Sequence, residues 1–248
     1  MDFIEALRKL VADLGIRQGI PTAAFSADDD PGRPDKALIE LALSAARSAA
    51  ESDLSDLCRR LAGPPYWPEI WPGEHYKLLA GLVRVLQPKL AIEIGTATGL
   101  SALAIRKFLP ATSRLATFDI IPWTEFPGHV LTPADFHDGR LQQIVADLSD
   151  LSVARTHGAV LNNADFLFID AAKDGRVEPA LLGNLAAVGL KEGAVLVFDD
   201  IRMMTMLPLW RSIALPKLDL TSFGHWSGTG LTFWRRSVPW FARRKAPA

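Results

Sequence analysis

A single cysteine, Cys58, stands in 248 residues, which excludes a disulfide framework and a cysteine-built metal site. It falls within a helical pattern, where a thiol fills core or interface space. An excess of one charge is equally absent: 27 basic and 28 acidic residues leave a net charge of -1. The basic residues sit mostly at Arg59-Arg60, Arg235-Arg236 and Arg243-Arg244-Lys245 rather than interleaved with aromatics on one face, so nothing calls for nucleic acid. No apolar run reaches membrane-span length, and the N-terminus opens with Asp2 and Glu5 inside an amphipathic pattern instead of a signal peptide. Tandem repeats and low-complexity tracts are missing too. The expectation is a cytoplasmic protein with neither a membrane nor a nucleic-acid partner. What remains is 49% hydrophobic content, enough for one substantial α/β core or a core with a helical appendage, but not for a second full domain.

Apolar spacing organises the rest. Phe3, Ile4, Leu7, Leu10, Val11 and Leu14 recur at helical intervals and predict an amphipathic helix ending near Gly15. Residues 26–35 are acidic, contain Pro31 and Pro34, and read as an exposed linker. A helix is expected over 36–62 with Gly63 as its stop and a break near Ser52, which would cap the piece carrying Leu54, Leu57 and Leu61. Residues 63–73 hold four prolines, so they cannot be regular, yet they carry Tyr66, Trp67 and Trp71. Such a rigid aromatic loop either walls a substrate pocket or packs the helices onto the core. Residues 1–72 are thus expected to form a helical cap, or the surface of a homo-oligomer, and residues 73–248 the main domain.

A helix over 74–86 leads into strands at 90–94, 115–119, 141–146, 166–170 and 194–199, with crossovers at 101–108, 151–162 and 178–188. That alternation predicts an α/β, doubly wound, mostly parallel sheet. A final pair, 218–223 and 230–234, has the spacing of an antiparallel hairpin. Between the second and third strands, Pro122, Pro127, Gly128 and Pro133 break any helix, so 120–139 reads as a lid carrying Trp123, Phe126, His129 and Phe136.

The most informative stretch is 90–101, Leu-Ala-Ile-Glu-Ile-Gly-Thr-Ala-Thr-Gly-Leu-Ser: a buried-type strand, a glycine-rich turn and the opening of a helix. Gly95 and Gly99 let the backbone turn sharply and approach a ligand, and the helix presents free N–H groups to an anionic end. The spacing is not the Gly-x-Gly-x-x-Gly of dinucleotide enzymes, since position 97 is alanine. Glu93 would repel a pyrophosphate but can accept from an ammonium. The segment Glu93-x-Gly95-x-x-x-Gly99 resembles motif I of the class I S-adenosylmethionine-dependent methyltransferases. The resemblance covers about 73–236 and implies their seven-stranded, Rossmann-like fold with its C-terminal antiparallel hairpin. A tight turn with no cofactor is the plain alternative.

In open α/β sheets ligands sit beyond the carboxyl ends of the strands. Those ends carry Glu93, Asp119, Asp147, Asp170 and Asp199-Asp200, although any one alone could be a helix cap. The resemblance implies Glu93 near the methionine ammonium of S-adenosylmethionine, and Ser101 with the turn residues Thr96 and Thr98 near its carboxylate. Asp119 would take the ribose hydroxyls and Asp147 the adenine amine, with Asp170 also on the cofactor side.

The stretch from Phe168 through Asp170 and Lys173 to Asp174 resembles the Asp-x-x-Lys segment of the metal-dependent catechol and caffeoyl-CoA O-methyltransferases. Phe198-Asp199-Asp200 resembles their later Asp-Asn pair, with Asp200 departing from the Asn. The resemblance implies a divalent metal, Mg2+, held by Asp170, Asp199 and Asp200, with Lys173 removing the substrate proton. Oxygen ligands without clustered His or Cys suit magnesium, manganese or calcium better than zinc. Lys173 must have its own pKa lowered for that role, and a neighbouring cation would supply the push.

The segment from Thr221 to Gly230 concentrates glycines, hydroxyls and His225, the alternative base for a metal-independent enzyme. The expected activity is methyl transfer to a hydroxyl of a small molecule: a phenol or catechol, a sugar or a natural-product scaffold. Two readings compete. A nicotinamide-dependent oxidoreductase shares the sheet but lacks the glycine spacing and has no use for Asp170-x-x-Lys173. A non-catalytic binding module would keep the fold without affinity for the methyl donor.

Overall fold

The computed structural model describes residues 30–203 and 205–241. The expected helix at 3–14 and the basic run at 243–245 lie outside the described residues. Helix α1 (Lys36–Ala50) starts on Asp35, whose side chain accepts from Leu38 N. The helix breaks near Ser52 as expected, but the piece that follows is a single turn, α2 (Ser55–Cys58), and does not reach 62. Ser52 does not cap it: its hydroxyl donates back to Ser48 O at 2.8 Å, the turn has no side-chain cap, and Glu69 Oε1 accepts from Leu54 N just before it at 2.6 Å.

Helix α3 (Tyr76–Leu86) ends on Gln87 in the left-handed region and turns straight into β1 (Leu90–Ile94). The remaining elements are α4 (Leu100–Phe108), β2 (Arg114–Asp119), β3 (Leu141–Val145), α5 (Leu151–Thr156), α6 (Gly158–Leu161), β4 (Phe166–Ile169), α7 (Val177–Val188), β5 (Val195–Asp199), α8 (Met206–Ser212), β6 (Lys217–Asp219) and β7 (Thr229–Phe233). The predicted crossover at 151–162 is therefore two short helices, and α8 was not predicted. No helix among the described residues is long and apolar enough to cross a membrane.

The strands form one sheet in the order β3-β2-β1-β4-β5-β7-β6. All pairs from β3 across to β5 are parallel, and β7 runs antiparallel between β5 and β6. The chain moves outward from β1 to β3 and returns to β4 beside β1, so the topological switch point lies between β1 and β4. Alternation assigns the faces. Ala91, Phe166, Phe168, Val195 and Val197 pack with α1, α3 and α4, while Ile92, Leu167, Ile169, Leu196 and Phe198 pack with the helices on the other side.

The N-terminal helices share this core. Leu38, Leu41, Ala42, Leu54 and Leu57 belong to the same buried cluster as Ala91 and Phe168. The crossing of α1 on α3 is backbone-close at Gly81, where a Cβ would meet Ala45 O and lie 2.7 Å from Ala49 N. Lys217, buried at the start of β6, fixes the other edge. Its ammonium donates to the carbonyls of Trp210, Arg211 (3.1 Å) and Ile213 (2.8 Å) at the end of α8 and pairs with Asp30 at 2.8 Å.

Candidate active site

The glycine turn follows β1 as predicted, but its glycines answer to the chain's own packing. Gly95 (φ +104°) lies against the Asp170 carbonyl and Gly99 (φ +86°) against the Leu131 side chain, which together fill the space a Cβ would need. Ala97, also in the left-handed region, is braced from the neighbouring strand: its N–H donates to Asp119 Oδ2 at 3.0 Å. Asp119 Oδ1 accepts from Ile120 N at 2.7 Å, so this half-buried carboxylate shapes the turn as well as facing the rim. Thr98 is half-buried and accepts from Val130 N at 2.9 Å, which ties the 120–139 loop to the turn.

Glu93 requires a correction. It is fully buried on the α4 side of the sheet, not open at the rim. Gln143 Nε2 donates to Thr96 Oγ1 (3.2 Å), Thr96 and Thr117 share a hydroxyl bond of 2.7 Å, and Thr117 donates to Glu93 Oε2 at 2.5 Å. Its Oε1 has no hydrogen-bond partner; the buried Ser101 hydroxyl is near enough to favour the charged form without completing a bond. Burial, opposed by Ser101 and Thr117, pushes the Glu93 carboxyl up to about 8. A group that is mostly neutral at pH 7 and closed to solvent supports the turn; it does not offer an open acceptor for an ammonium. Asp147 is exposed beyond β3 and accepts from its own neighbour, Ser149 N at 2.9 Å and Oγ at 2.6 Å.

Strand parity explains the acids nearer the centre. Asp170 follows Phe166 and Phe168, and Asp199 follows Val195 and Val197, so both point to the α3 face. Extending the β4–β5 register by one step sets Asp170 beside Asp199. Helix α3 runs antiparallel to β1. Its 11 residues rise about 16 Å, which matches the advance of about 16 Å over the 5 residues of β1. The helix start therefore reaches the same rim and delivers Glu74 and His75. Sequence reasoning missed both; the short connection from α3 to β1 was the available signal.

The resulting cluster is dense in charge. Lys173, itself at φ +59°, bonds Asp170 and lies 2.8 Å from Asp200 Oδ2. Asp200, at φ +56°, also accepts from Ser227. His225 Nδ1 lies 3.2 Å from Asp199 Oδ1, 3.2 Å from Asp200 Oδ1 and 2.8 Å from Ser227 Oγ, and its Nε2 is 3.5 Å from Glu74 Oε2. His75 Nδ1 approaches Asp199 Oδ2 to 3.3 Å, within ion-pair reach but off the line of a hydrogen bond.

Burial alone would lower the Lys173 pKa, but Asp170 and Asp200 outweigh it and hold it above the ordinary lysine value. For His225, burial is likewise outweighed by Asp199 and Asp200, and the imidazole is pushed up to about 10. Asp199 is driven below the usual carboxylate range, its burial overcome by His75 and His225; burial raises Glu74. Both predicted bases thus already carry protons in this arrangement. The lowered lysine pKa that a base role demands is not a property of these residues by themselves.

The predicted metal set also changes. Among the described residues, donor atoms within 4.8 Å of one another group as His75–Asp170–Asp199, Asp199–Asp200–His225 and Glu74–His75–His225. The trio Asp170, Asp199 and Asp200 is not one of these groups, because Asp200 turns toward Lys173, Ser227 and His225. Each group contains an imidazole, contrary to the expectation of oxygen ligands alone.

Two loops frame the cluster. Trp71 Nε1 donates to Phe223 O at 2.7 Å and Gly73 N to Gly224 O at 2.9 Å, joining the proline-rich loop to the segment that carries His225. Trp226, 70% exposed, stands edge-on to His225. The predicted lid is anchored: Arg60 forks onto Asp135 at 2.7 and 2.8 Å, and Trp123 stacks on Phe136 and meets His129 edge-on. A groove lined by Asn162, Val188, Trp234 and Trp240 lies at the opposite, N-terminal ends of the strands, away from this chemistry.

Residues 92–201 match a family model described as a methyltransferase domain. That span includes the glycine turn, Asp119, Asp170, Lys173, Asp199 and Asp200, and leaves Glu74, His75 and His225 outside. The chain is 28% identical over 151 residues to caffeoyl-CoA O-methyltransferase 1 of Zea mays, covering 54% of this chain and 56% of that protein. It is 27% identical over 126 residues to catechol O-methyltransferase of Mus musculus, covering 50% of this chain and 47% of that protein. The chain thus spans about half the length of the curated relatives it matches. A solved structure from Staphylococcus aureus, provisionally assigned as a caffeoyl-CoA O-methyltransferase, superposes with a TM-score of 0.51 at 16% identity over 80% of this chain and 97% of that one, a likeness of fold.

Proposed function

We propose S-adenosylmethionine-dependent methyl transfer to a hydroxyl of a small acceptor, in a reducing cytoplasmic setting, for a chain whose residues 92–201 match a methyltransferase domain model. One observation supports this above others: the glycine turn, Asp119 and the cluster of Asp170, Lys173, Asp199, Asp200 and His225 converge on one rim at the switch point of the sheet. In this reading the start of α4 with Thr96, Thr98 and Ser101 holds the methionine end, Asp119 the ribose, and Asp147 the adenine side. Residues 73–248 supply this machinery and the preceding helices cover it.

Methyl transfer from sulfonium to oxygen is an in-line displacement, so the residues must chiefly align the reacting atoms and exclude water. Trp71, Phe223 and Trp226 are placed to wall the acceptor against the cluster. The donor chemistry at the rim fits a divalent cation through Asp170 and Asp199 with a buried imidazole beside them. A bound cation would make the acceptor hydroxyl more acidic. Lys173 and His225 hold protons at this edge, and the acceptor's proton leaves through one of them once its own has been released.

Calorimetry with S-adenosylhomocysteine, followed by a hydroxyl-acceptor panel with the labelled methyl donor, tests the reading; absence of binding rejects it. Asp170→Ala should abolish metal-stimulated transfer while leaving S-adenosylhomocysteine binding within a few-fold. Full turnover in excess chelator would instead favour the metal-independent reading, in which the Lys173 ammonium between Asp170 and Asp200 is the resident cation and His225 the base.

A further inference from the structure

We infer that His75 is a metal ligand and that, with Asp170 and Asp199, it makes this rim a mixed nitrogen–oxygen centre that prefers a first-row transition ion to magnesium. The inference rests on the proposed cation at this rim and names its ligands. His75 sits just before the first turn of α3 and is 5% exposed. Its ring is held between Tyr76 (centroids 4.4 Å), Phe168 (5.1 Å) and the edge of His225 (5.4 Å), so the direction of Nδ1 is fixed by packing.

That nitrogen is buried and has no hydrogen-bond partner. Buried polar atoms are nearly always satisfied, and an orphan asks for an explanation such as an ion. The orphan faces carboxylates: one donor atom each from His75, Asp170 and Asp199 lie within 4.8 Å of one another. Ligands about 2.1 Å from a shared ion stand about 3.0 Å apart at right angles and about 4.2 Å apart when opposed. The 3.3 Å between His75 Nδ1 and Asp199 Oδ2, too misaligned for a hydrogen bond, suits adjacent coordination positions.

The neighbouring donors are already engaged. His225 Nδ1 is occupied by Ser227 Oγ at 2.8 Å and Asp199 Oδ1 at 3.2 Å. Asp200 is held by Lys173, Ser227 and His225. This leaves His75 as the imidazole free to coordinate; Asp170, bonded by Lys173 through Oδ1, and Asp199, bonded by His225 through Oδ1, each keep a second carboxylate oxygen for the ion. Magnesium favours oxygen ligands and keeps much of its water, whereas a site with an imidazole binds first-row ions increasingly well from manganese through iron and cobalt to nickel. One nitrogen and two carboxylates therefore shift selectivity away from magnesium.

The test uses the full chain stripped with chelator and titrated with Mn2+, Co2+ and Mg2+, with S-adenosylhomocysteine binding measured on the same samples. Co2+ should bind at least tenfold more tightly than Mg2+, and pulsed EPR of the Mn2+ complex should show coupling to an imidazole nitrogen. His75→Asn should remove that coupling and weaken Co2+ at least tenfold, while His225→Asn keeps the coupling. Equal affinity for Mg2+, no nitrogen coupling in the wild type, or coupling lost in His225→Asn overturns the assignment. If His75→Asn does not fold, the His225→Asn spectrum still decides, because these are the two imidazoles in the cluster. S-adenosylhomocysteine binding without any metal binding sinks this inference alone, and metal binding without S-adenosylhomocysteine binding sinks the methyl-transfer reading alone.

Discussion

Glu93→Gln isolates the cost of a buried acid beneath the glycine turn. The carboxyl moves from an ordinary 4.5 to about 8 in the folded chain, because burial outweighs the Ser101 and Thr117 hydroxyls. Its folded pKa is raised, so the native state binds the proton more tightly than the unfolded state does. Stability from this group is fully present below pH 4.5 and is lost as pH rises to about 8. Within that window each pH unit costs about 1.4 kcal/mol, which gives a loss of about 2 kcal/mol between pH 6 and pH 8. Glutamine keeps the shape and the bond from Thr117 but cannot ionise. Urea unfolding of both proteins at pH 6, 7 and 8 should show the variant gaining about 2 kcal/mol on the wild type across the series. A difference that stays constant with pH means that Glu93 is ionised throughout and that the argument from burial is wrong.

Two further perturbations address packing and the loop. Gly81→Leu drives a side chain into the α1 backbone at Ala45 and Ala49, so unfolding free energy should fall by about 1–3 kcal/mol or more, read by thermal or urea denaturation. Arg60→Ala leaves the buried Asp135 carboxylate with only its Thr132 bonds. The loss is about 1–3 kcal/mol, and hydrogen exchange should rise within 120–139 while β1 and β4 stay protected. Unchanged exchange in that loop would mean that the Trp123–Phe136 stack anchors it alone.

Much of the fold was legible because the nearly continuous apolar runs at 90–94 and 166–169, buried on both faces, and the glycine turn are local signals. Boundaries moved where local bonds went elsewhere, as when the Ser52 hydroxyl bonded back to Ser48 O and left the turn at 55–58 without a side-chain cap. The carboxylates after β2, β4 and β5 were readable from strand ends in a parallel sheet. Their partners were not, since His75 and Glu74 reach the rim only through the return of α3 along β1. The motif resemblance placed Glu93 at the site, but it pairs in register with Phe168, two residues short of Asp170 on the same face, where it is buried and bonded by Thr117. Lys173 and His225 were found as side chains; their protonation depends on the carboxylates gathered at the rim, Asp170 and Asp200 for Lys173 and Asp199 and Asp200 for His225.

The shared cluster that joins Leu38 and Leu57 to Phe168 and Leu231 has a practical corollary. The recognised 92–201 stretch is not an autonomous folding unit. Excised, it would lose α1, α3 and β7 together, baring the apolar face of β1, β4 and β5 to water. A fragment that keeps this cluster whole begins upstream of Leu38 and runs past Leu231, so borders drawn by similarity and borders drawn by cohesion fall in different places in this chain.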